Sequence, residues 1–191
     1  RGMSRKQGGK LAEARKDIQH VVSTNNLVYE CYLELGKIYQ LEDNEKEAEK
    51  YYDKSIRIAP TKAMAYYLKA NLQLVQKQYK EAAKYLNACL LRDSLFHDAR
   101  IKLGMLEIVK KEQPEAGLPY FNRVLKSDSL QRYTLLFRSI VNLKTDQQQS
   151  LADLNHVVRI SPHNTLVLYL RAVLLTELGD YRRSFKDFHQ I

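Results

Sequence analysis

The chain has 191 residues, is 45 % hydrophobic, and carries a net charge of +9 from 31 basic and 22 acidic residues. With few glycines and prolines and no tryptophan, this composition favours packed amphipathic helices over a β-sandwich, a collagen-like chain or a disordered tail. The sequence contains no apolar run of about 18 residues, so it predicts no membrane span. The basic start of the chain is not followed by the apolar stretch of a signal peptide. Two distant cysteines, Cys31 and Cys89, match no metal or redox spacing, which favours an intracellular, cytoplasmic location.

The segment from residue 29 to residue 60 predicts two short helices joined by a turn. Apolar and small residues recur every three or four positions before and after the polar run 42–44, and Pro60 ends the second helix. These residues are Tyr32, Leu35, Gly36 and Tyr39, then Ala48, Tyr52, Ser55 and Ile56. Two short helices cannot bury these faces alone, so the unit requires neighbours.

The neighbours come from a repeat with a period of 34 residues. One column of mostly small residues contains Gly36, Ala70, Gly104, Arg138 and Ala172. A second small column contains Ala14, Ala48, Ala82, Ala116, Ser150 and Ser184. A third, of large residues, contains Ile18, Tyr52, Leu86, Tyr120, Leu154 and Phe188. Small residues allow two helices to approach to about 8–10 Å, and the columns need no insertion or deletion.

In period and in the residues of these columns, the chain resembles the tetratricopeptide repeat family. The resemblance implies an all-α fold, a right-handed helical-repeat solenoid of 34-residue helix-turn-helix units. It divides residues 1–191 as a single array with a partial repeat at 1–28, repeats at 29–62, 63–96, 97–130 and 131–164, and a partial repeat at 165–191. In this register Gly2 lies in a first helix and Ile191 in a second helix, so we expect a segment of a longer repeat protein.

Two positions depart from the pattern. Arg138 falls in a column of small residues, where its aliphatic stem must reach outward or the helix pair must open. Pro119 lies five residues after Pro114 in a second helix, where it removes a hydrogen bond. We therefore expect this second helix to be the least regular in the array.

The sequence contains no motif typical of an enzyme, a cofactor site or a metal site. It has no nucleophile elbow, no glycine-rich phosphate loop and no His-Glu-x-x-His motif. Its five histidines do not cluster, and its acidic residues alternate with lysines, as on a solvated helix surface. We predict a protein that is not an enzyme and that binds neither a cofactor nor a small-molecule substrate, and we expect Cys89 to be a buried thiol.

The resemblance also implies a binding groove, lined by the first helix of each repeat. Carried over position by position, it predicts an apolar lining suited to a peptide or helix of a partner protein. An alternative is that several of these side chains pack between repeats and never meet a ligand. The predicted groove residues are Met64, Tyr67, Asn71, Asp98, Ile101, Met105, Arg132, Leu135 and Ser139.

We therefore predict a scaffold or adaptor for protein–protein interaction, with a cytoskeletal or ciliary assembly as one setting that the family suggests. The positive charge favours an acidic partner. Nucleic acid is disfavoured because no base-reading or base-stacking motif stands out, yet a basic nucleic-acid-associated repeat remains an alternative. A further alternative is the recognition arm of a larger enzyme.

Overall fold

The computed structural model describes residues 2–24 and 28–191, and the side chains of residues 9–24 and 28–191. Over these residues the chain forms eleven α-helices and one 3-10 helix, without a β-strand. The helices are α1 (Gly2–Thr24), α2 (Tyr29–Leu41), α3 (Glu45–Ile58), α4 (Ala63–Val75), α5 (Tyr79–Arg92), α6 (His97–Lys111), the 3-10 helix (Pro114–Gly117), α7 (Leu118–Ser127), α8 (Arg132–Asn142), α9 (Gln147–Ile160), α10 (Thr165–Glu177) and α11 (Tyr181–Gln190). The prediction of an all-α chain is confirmed.

The chain divides into two compact units, which we call the first unit (residues 1–99) and the second unit (residues 100–191). In the first unit α2 packs on α3 and α4 on α5, while α3 contacts α4 and α1 contacts α2. In the second unit α8 packs on α9 and α10 on α11, and α7–α8 and α9–α10 contacts join successive pairs. Helix-turn-helix pairs are thus the building block of both units. The assignment of residues 1–191 to a single array stays a prediction.

Turn and cap residues explain where the second helix of a pair begins. Asn44 accepts a hydrogen bond from the backbone N–H of Glu47 at the start of α3, and Asp146 does the same for Gln149 at the start of α9. Such caps satisfy backbone donors that the first helical turn leaves without a partner. In the turn before α11, Gly179 has a φ of +81°, a conformation that glycine adopts without the steric cost of a Cβ atom.

The core of the first unit lies between its helix pairs. Tyr52 and Ala48 of α3 are fully buried against α2, and Leu72 and Ala65 of α4 continue the same cluster. Gly36 makes the close approach possible, because a Cβ atom there would lie 2.6 Å from Tyr52 Cδ1. The small–large pairing of Gly36 with Tyr52 that the columns predict is therefore present.

The second unit has two apolar clusters. One contains Ile101, Phe121 and Val124 from α6 and α7. The other joins α7, α8, α9 and α10 through the buried residues Leu125, Leu135, Leu154, Val157, Val167 and Leu174.

The 34-residue register is wrong by one position from the α6–α7 turn to the end of α8. The small residue that meets α6 in this pair is Gly117, whose added Cβ would lie 2.7 Å from Ile108 Cδ1, and the large buried residue is Phe121. The columns instead predict Ala116 and Tyr120, which are only half-buried. One extra residue in the segment between Gly104 and Gly117 therefore displaces all of α7.

The same displacement corrects the prediction for Arg138. The small buried residue of α8 is Ser139, whose carbonyl accepts a 2.9 Å hydrogen bond from Ser150 Oγ, just as the carbonyl of Ala172 accepts one from Ser184 Oγ. Helix α6 is two residues longer than α4, and α8 is two residues shorter than α4. The residue that the repeat gains before α7 is therefore compensated by the loss of a residue near the end of α8. Arg138 consequently lies beside the small column and does not open the helix pair.

The predicted irregularity at Pro119 is confirmed, although its form differs from a bend. Helices α3, α5 and α9 each have 14 residues, whereas here a four-residue 3-10 helix precedes a ten-residue α7. Pro119 occupies the first turn of α7, where the amide hydrogen that proline lacks would have no helical acceptor. The α-helix therefore starts next to the proline, with Pro119 as the second residue of α7.

The start of the chain also differs from the extrapolated register. That register places Gly2 in a first helix and Ala14 in a second helix, which requires a turn between them. The described residues 2–24 instead form one uninterrupted helix. Residues 1 and 25–27 of the predicted partial repeat lie outside the described residues.

Candidate peptide-binding cleft

In the first unit the predicted groove residues differ in exposure. Met64 and Asp98 are exposed, and Tyr67 and Asn71 are half-buried. The Tyr67 ring packs on Phe96, with ring centroids 4.8 Å apart. Burial raises the pKa of Tyr67, and a hydrogen bond from Asn71 opposes this effect. Tyr67 and Asn71 therefore belong partly to the packing of this unit.

In the second unit three predicted groove residues are buried. Ile101 is 5 % exposed and packs on Phe121 and Val124, Leu135 is 3 % exposed, and Ser139 has no exposed surface. Ile101, Leu135 and Ser139 are thus core residues rather than exposed groove residues, although Leu135 also borders a cavity beside α7 and α9. The alternative noted from the sequence, packing between repeats, holds for them.

The one-residue displacement explains why the prediction fails in α8. Moving the family positions forward by one replaces Arg132, Leu135 and Ser139 with Tyr133, Leu136 and Ile140. Tyr133 and Ile140 are indeed exposed. Arg132 is exposed as well and lies over the Tyr133 ring, 4.7 Å from its centroid. The sequence signal that could have located the shift is a pair of small residues, Gly117 and Ser139, each one position after its column.

Met105, one of the predicted groove residues, lines a well-defined cavity. The cavity has a volume of about 480 Å³ and lies between α6 and α8. We call it the first-helix cleft. Its wall residues are Met105 and Ile108 from α6, Phe121 from α7, and Phe137, Ile140 and Val141 from α8.

Loop residues close one end of the first-helix cleft. Pro114 and Glu115 of the 3-10 helix line it, together with Leu143, Lys144 and Thr145 after α8. Glu115 and Lys144 are both exposed, so the two charged groups lie toward solvent while the interior is apolar. The irregular α6–α7 connection thus forms part of the wall.

The chemistry of this cleft is that of an apolar receptor. Its wall consists mainly of aliphatic, aromatic and thioether groups, which bind by burial and dispersion. In the described part of the chain, no group of three or more His, Cys, Asp or Glu residues is arranged to hold a metal ion. Cys89 is a buried free thiol, as predicted, and burial raises its pKa to about 11.

None of the helices formed by the described residues is long and apolar enough to cross a membrane.

Comparison with known proteins agrees with the repeat pattern. A family profile of the tetratricopeptide repeat matches residues 29–62, and a second profile of the same description matches residues 51–84. A search of curated protein sequences finds no significant match.

Several solved structures are similar to this chain. PilF from Pseudomonas aeruginosa superposes with a TM-score of 0.81 at 18 % identity, over 99 % of this chain and 86 % of that protein. YrrB, described as a tetratricopeptide repeat protein with an unusual peptide-binding site, gives a TM-score of 0.67 at 20 % identity, over 91 % and 89 % of the two chains. A tetratricopeptide repeat protein from Parabacteroides merdae gives 0.71 at 17 % identity, over 98 % and 75 %. Identities this low establish the fold alone, and the predicted class, a helical-repeat solenoid, is confirmed.

Proposed function

Because this chain belongs to the tetratricopeptide repeat family, we propose that it is a non-enzymatic scaffold whose first-helix cleft receives a large apolar side chain of a partner peptide or helix. The fold is that of protein–protein interaction modules in general. The single observation that carries the finer proposal is the apolar cleft of about 480 Å³ between α6 and α8.

The size and lining of the cleft support an apolar anchor. Its volume lies within the range of roughly 300–1,000 Å³ typical of pockets that bury a bound group. Ile140 is 44 % exposed and would lose contact with water on binding. Fully burying one aliphatic or aromatic side chain stabilises a complex by about 1.5–3 kcal/mol, and the flexible Met105 side chain can adapt to its shape.

The arrangement of charge supports a non-enzymatic role. Glu115 and Lys144, the two charged residues that line the cleft, are exposed rather than held against a reacting group. Effective catalysis needs an acid, base or nucleophile that is positioned by further hydrogen bonds. We keep a cytoskeletal or ciliary assembly as the setting in which partners are to be sought.

The test uses Ile140→Asp, which places a charge inside the cleft, and Ile160→Asp as its matched control. Ile160 is equally exposed, at 42 % against 44 %, and lies at the end of α9 outside the cleft lining. Twelve-residue peptides would be selected from a random display library on the intact chain. We expect the selected peptides to contain large apolar residues, and their affinity to fall by tenfold or more, about 1.4 kcal/mol, in Ile140→Asp while Ile160→Asp binds normally.

Carbon-13 labelling of the methionine methyl groups gives an independent readout. Peptide binding should shift the Met105 methyl signal, because Met105 lines the cleft, while Met64 reports on α4 in the first unit. Equal loss of binding in both aspartate variants, or a peptide that shifts Met64 and leaves Met105 unchanged, would contradict the proposal.

A further inference from the structure

A second cavity lies on a different face of α8. We call it the second-helix cleft, because its two sides come from the second helices α7 and α9. Its volume is about 380 Å³, and Leu125 and Leu135 form its apolar part. Whereas the first-helix cleft meets Phe137, Ile140 and Val141 of α8, this cleft meets Leu135 and Arg138. The two clefts therefore use different residues of α8.

The carboxylate that lines the second-helix cleft is already neutralised. Asp153 is 3 % exposed and accepts two 2.7 Å hydrogen bonds from Arg138, one from Nε and one from a terminal nitrogen. Gln149 donates a third bond, of 3.0 Å, to the same carboxylate. This ion pair raises the pKa of Arg138, so its positive charge is permanent. The pair contributes little net charge to the cleft.

The other polar groups of the cleft are mostly hydrogen-bond donors. Among the described residues, Lys126 and His156 have no ion-pair or hydrogen-bond partner, and the Ser129 hydroxyl has none either. Arg138 uses three of its five N–H groups, two on Asp153 and one on Asn122 Oδ1 at 2.8 Å. A neutral imidazole still presents one N–H. The cleft thus combines excess donors with positive charge and lacks an available carboxylate.

In the next helix pair, Arg171 occupies the position that corresponds to Arg138, and the groups around it differ. Arg171 binds Asp187 with two 2.7 Å hydrogen bonds and Asn155 Oδ1 with one of 3.0 Å, which repeats the Arg138 arrangement. There, however, Arg183 also reaches Asn155 Oδ1, at 3.4 Å, where the first arrangement has Gln149. Both arginines therefore use three of their five N–H groups, and Arg183 adds a further donor at Asn155, whereas Gln149 donates to the carboxylate of Asp153.

We propose that the second-helix cleft binds a carboxylate side chain from an acidic segment of a partner protein. Lys126 supplies the charge, and His156, Ser129 and Arg138 supply hydrogen-bond donors to its two oxygens. Leu125 and Leu135 accommodate the methylene groups of a glutamate. Complementary charge is the reason for choosing an acidic segment over an apolar one.

The experiment titrates the intact chain with hexaglutamate and, as a neutral control, with hexaglutamine at low ionic strength. Backbone amide signals are followed by NMR. We expect hexaglutamate to shift signals of α7 and α9 around Lys126 and His156, and hexaglutamine to shift none. Lys126→Glu should weaken hexaglutamate binding by about tenfold, because it replaces an attraction by a repulsion.

Lys110→Glu is the matched control, since it makes the same charge change on an exposed α6 lysine outside the second-helix cleft. Both lysines are exposed, so both variants should retain the helical circular dichroism spectrum. Equal weakening by the two variants, shifts spread over all basic surfaces, or no measurable hexaglutamate binding would each overturn the proposal. A single-stranded oligonucleotide that shifts these signals when hexaglutamate does not would overturn it in favour of nucleic acid.

Discussion

At the scale of single residues, close helix contact depends on a missing side chain. Tyr52 is fully buried, its hydroxyl hydrogen-bonds Gln40 Oε1 at 2.8 Å, and burial raises its pKa. The ring occupies the space that a Cβ atom at position 36 would need. Gly36 and Tyr52 are therefore a matched pair, and the repeat columns already predict them as small and large.

We expect Gly36→Ala to destabilise the protein, because Tyr52 is held on all sides and cannot move away easily. Overpacking costs about 1–3 kcal/mol, which exceeds the roughly 0.5–1 kcal/mol that alanine gains over glycine within a helix. Urea unfolding should show a net loss of about 1–2 kcal/mol. Gly9→Ala is the control, since a Cβ there meets no atom within 4 Å, and it should be neutral or stabilising. An unchanged free energy of unfolding for Gly36→Ala would contradict the prediction.

Charged residues replace leucine at one core position. Leu35 and Leu103 are buried there, while the equivalent positions hold Lys69, Arg138 and Arg171. Each basic side chain pairs with a carboxylate of a second helix, namely Asp53, Asp153 and Asp187 respectively. A buried charge is tolerated only when it is paired and hydrogen-bonded. The sequence showed that Arg138 was unusual, but only the fold brought Asp153 to it.

At the scale of helices, one connection differs from the others. Residues 112–117 connect α6 to α7 through a turn with a positive φ at Glu112 and a 3-10 helix in place of the first α-helical turn. The extra residue that displaces α7 and α8 comes before this connection, because positive φ occurs at Asp43 and, 34 residues later, at Lys77, but only 35 residues after that at Glu112. Pro114 and Glu115 of the connection also line the first-helix cleft. The irregular connection and the candidate site are thus the same feature.

Pro119→Ala should allow the 3-10 helix and α7 to merge into one α-helix. The new amide hydrogen at position 119 could donate to the carbonyl of Glu115, and the side chain of Pro119 is exposed, so little packing is lost. We expect slow amide exchange at residue 119 and α-helical carbon shifts over residues 114–118, measured by NMR. Pro162→Ala, which changes an exposed proline after α9, should leave helix content unchanged. Persistence of the 3-10 geometry in Pro119→Ala would show that the extra residue, rather than the proline, causes it.

At the scale of the whole molecule, charge and apolar surface predict two kinds of association. The net charge of +9 attracts polyanions over long distances, and this attraction is screened by salt. Contacts inside the apolar first-helix cleft involve little charge and should depend weakly on salt. The two effects can therefore be separated by ionic strength.

We expect binding of a single-stranded oligonucleotide to weaken by at least about tenfold when salt rises from about 50 to about 200 mM, because phosphate contacts release counterions. Binding of a library-selected apolar peptide should change by less than about twofold over the same range. Fluorescence anisotropy with labelled ligands measures both, and Ile140→Asp should affect only the peptide. A peptide affinity that falls as steeply as the oligonucleotide affinity would mean that charge, not the cleft, carries recognition.

The sequence by itself determined the helix-turn-helix repeat, the family, the Gly36–Tyr52 packing pair and the irregular segment around Pro119. These features depend on local spacing and on residue size, which periodicity records directly. Of the groove residues that it predicted, Met105 lines the first-helix cleft and Leu135 the second-helix cleft, while Ile101, Leu135 and Ser139 are buried.

Only the tertiary structure decided the register of α7 and α8, the exposure of Ile140, and the pairing of Arg138 with Asp153. A gain of one residue followed by a loss of one leaves the distant columns aligned, so the period shows no break. Rotation by one residue nevertheless turns a helix by about 100°, which exchanges its buried and exposed faces. The two clefts exist because packing of α6, α7, α8 and α9 decides which faces meet.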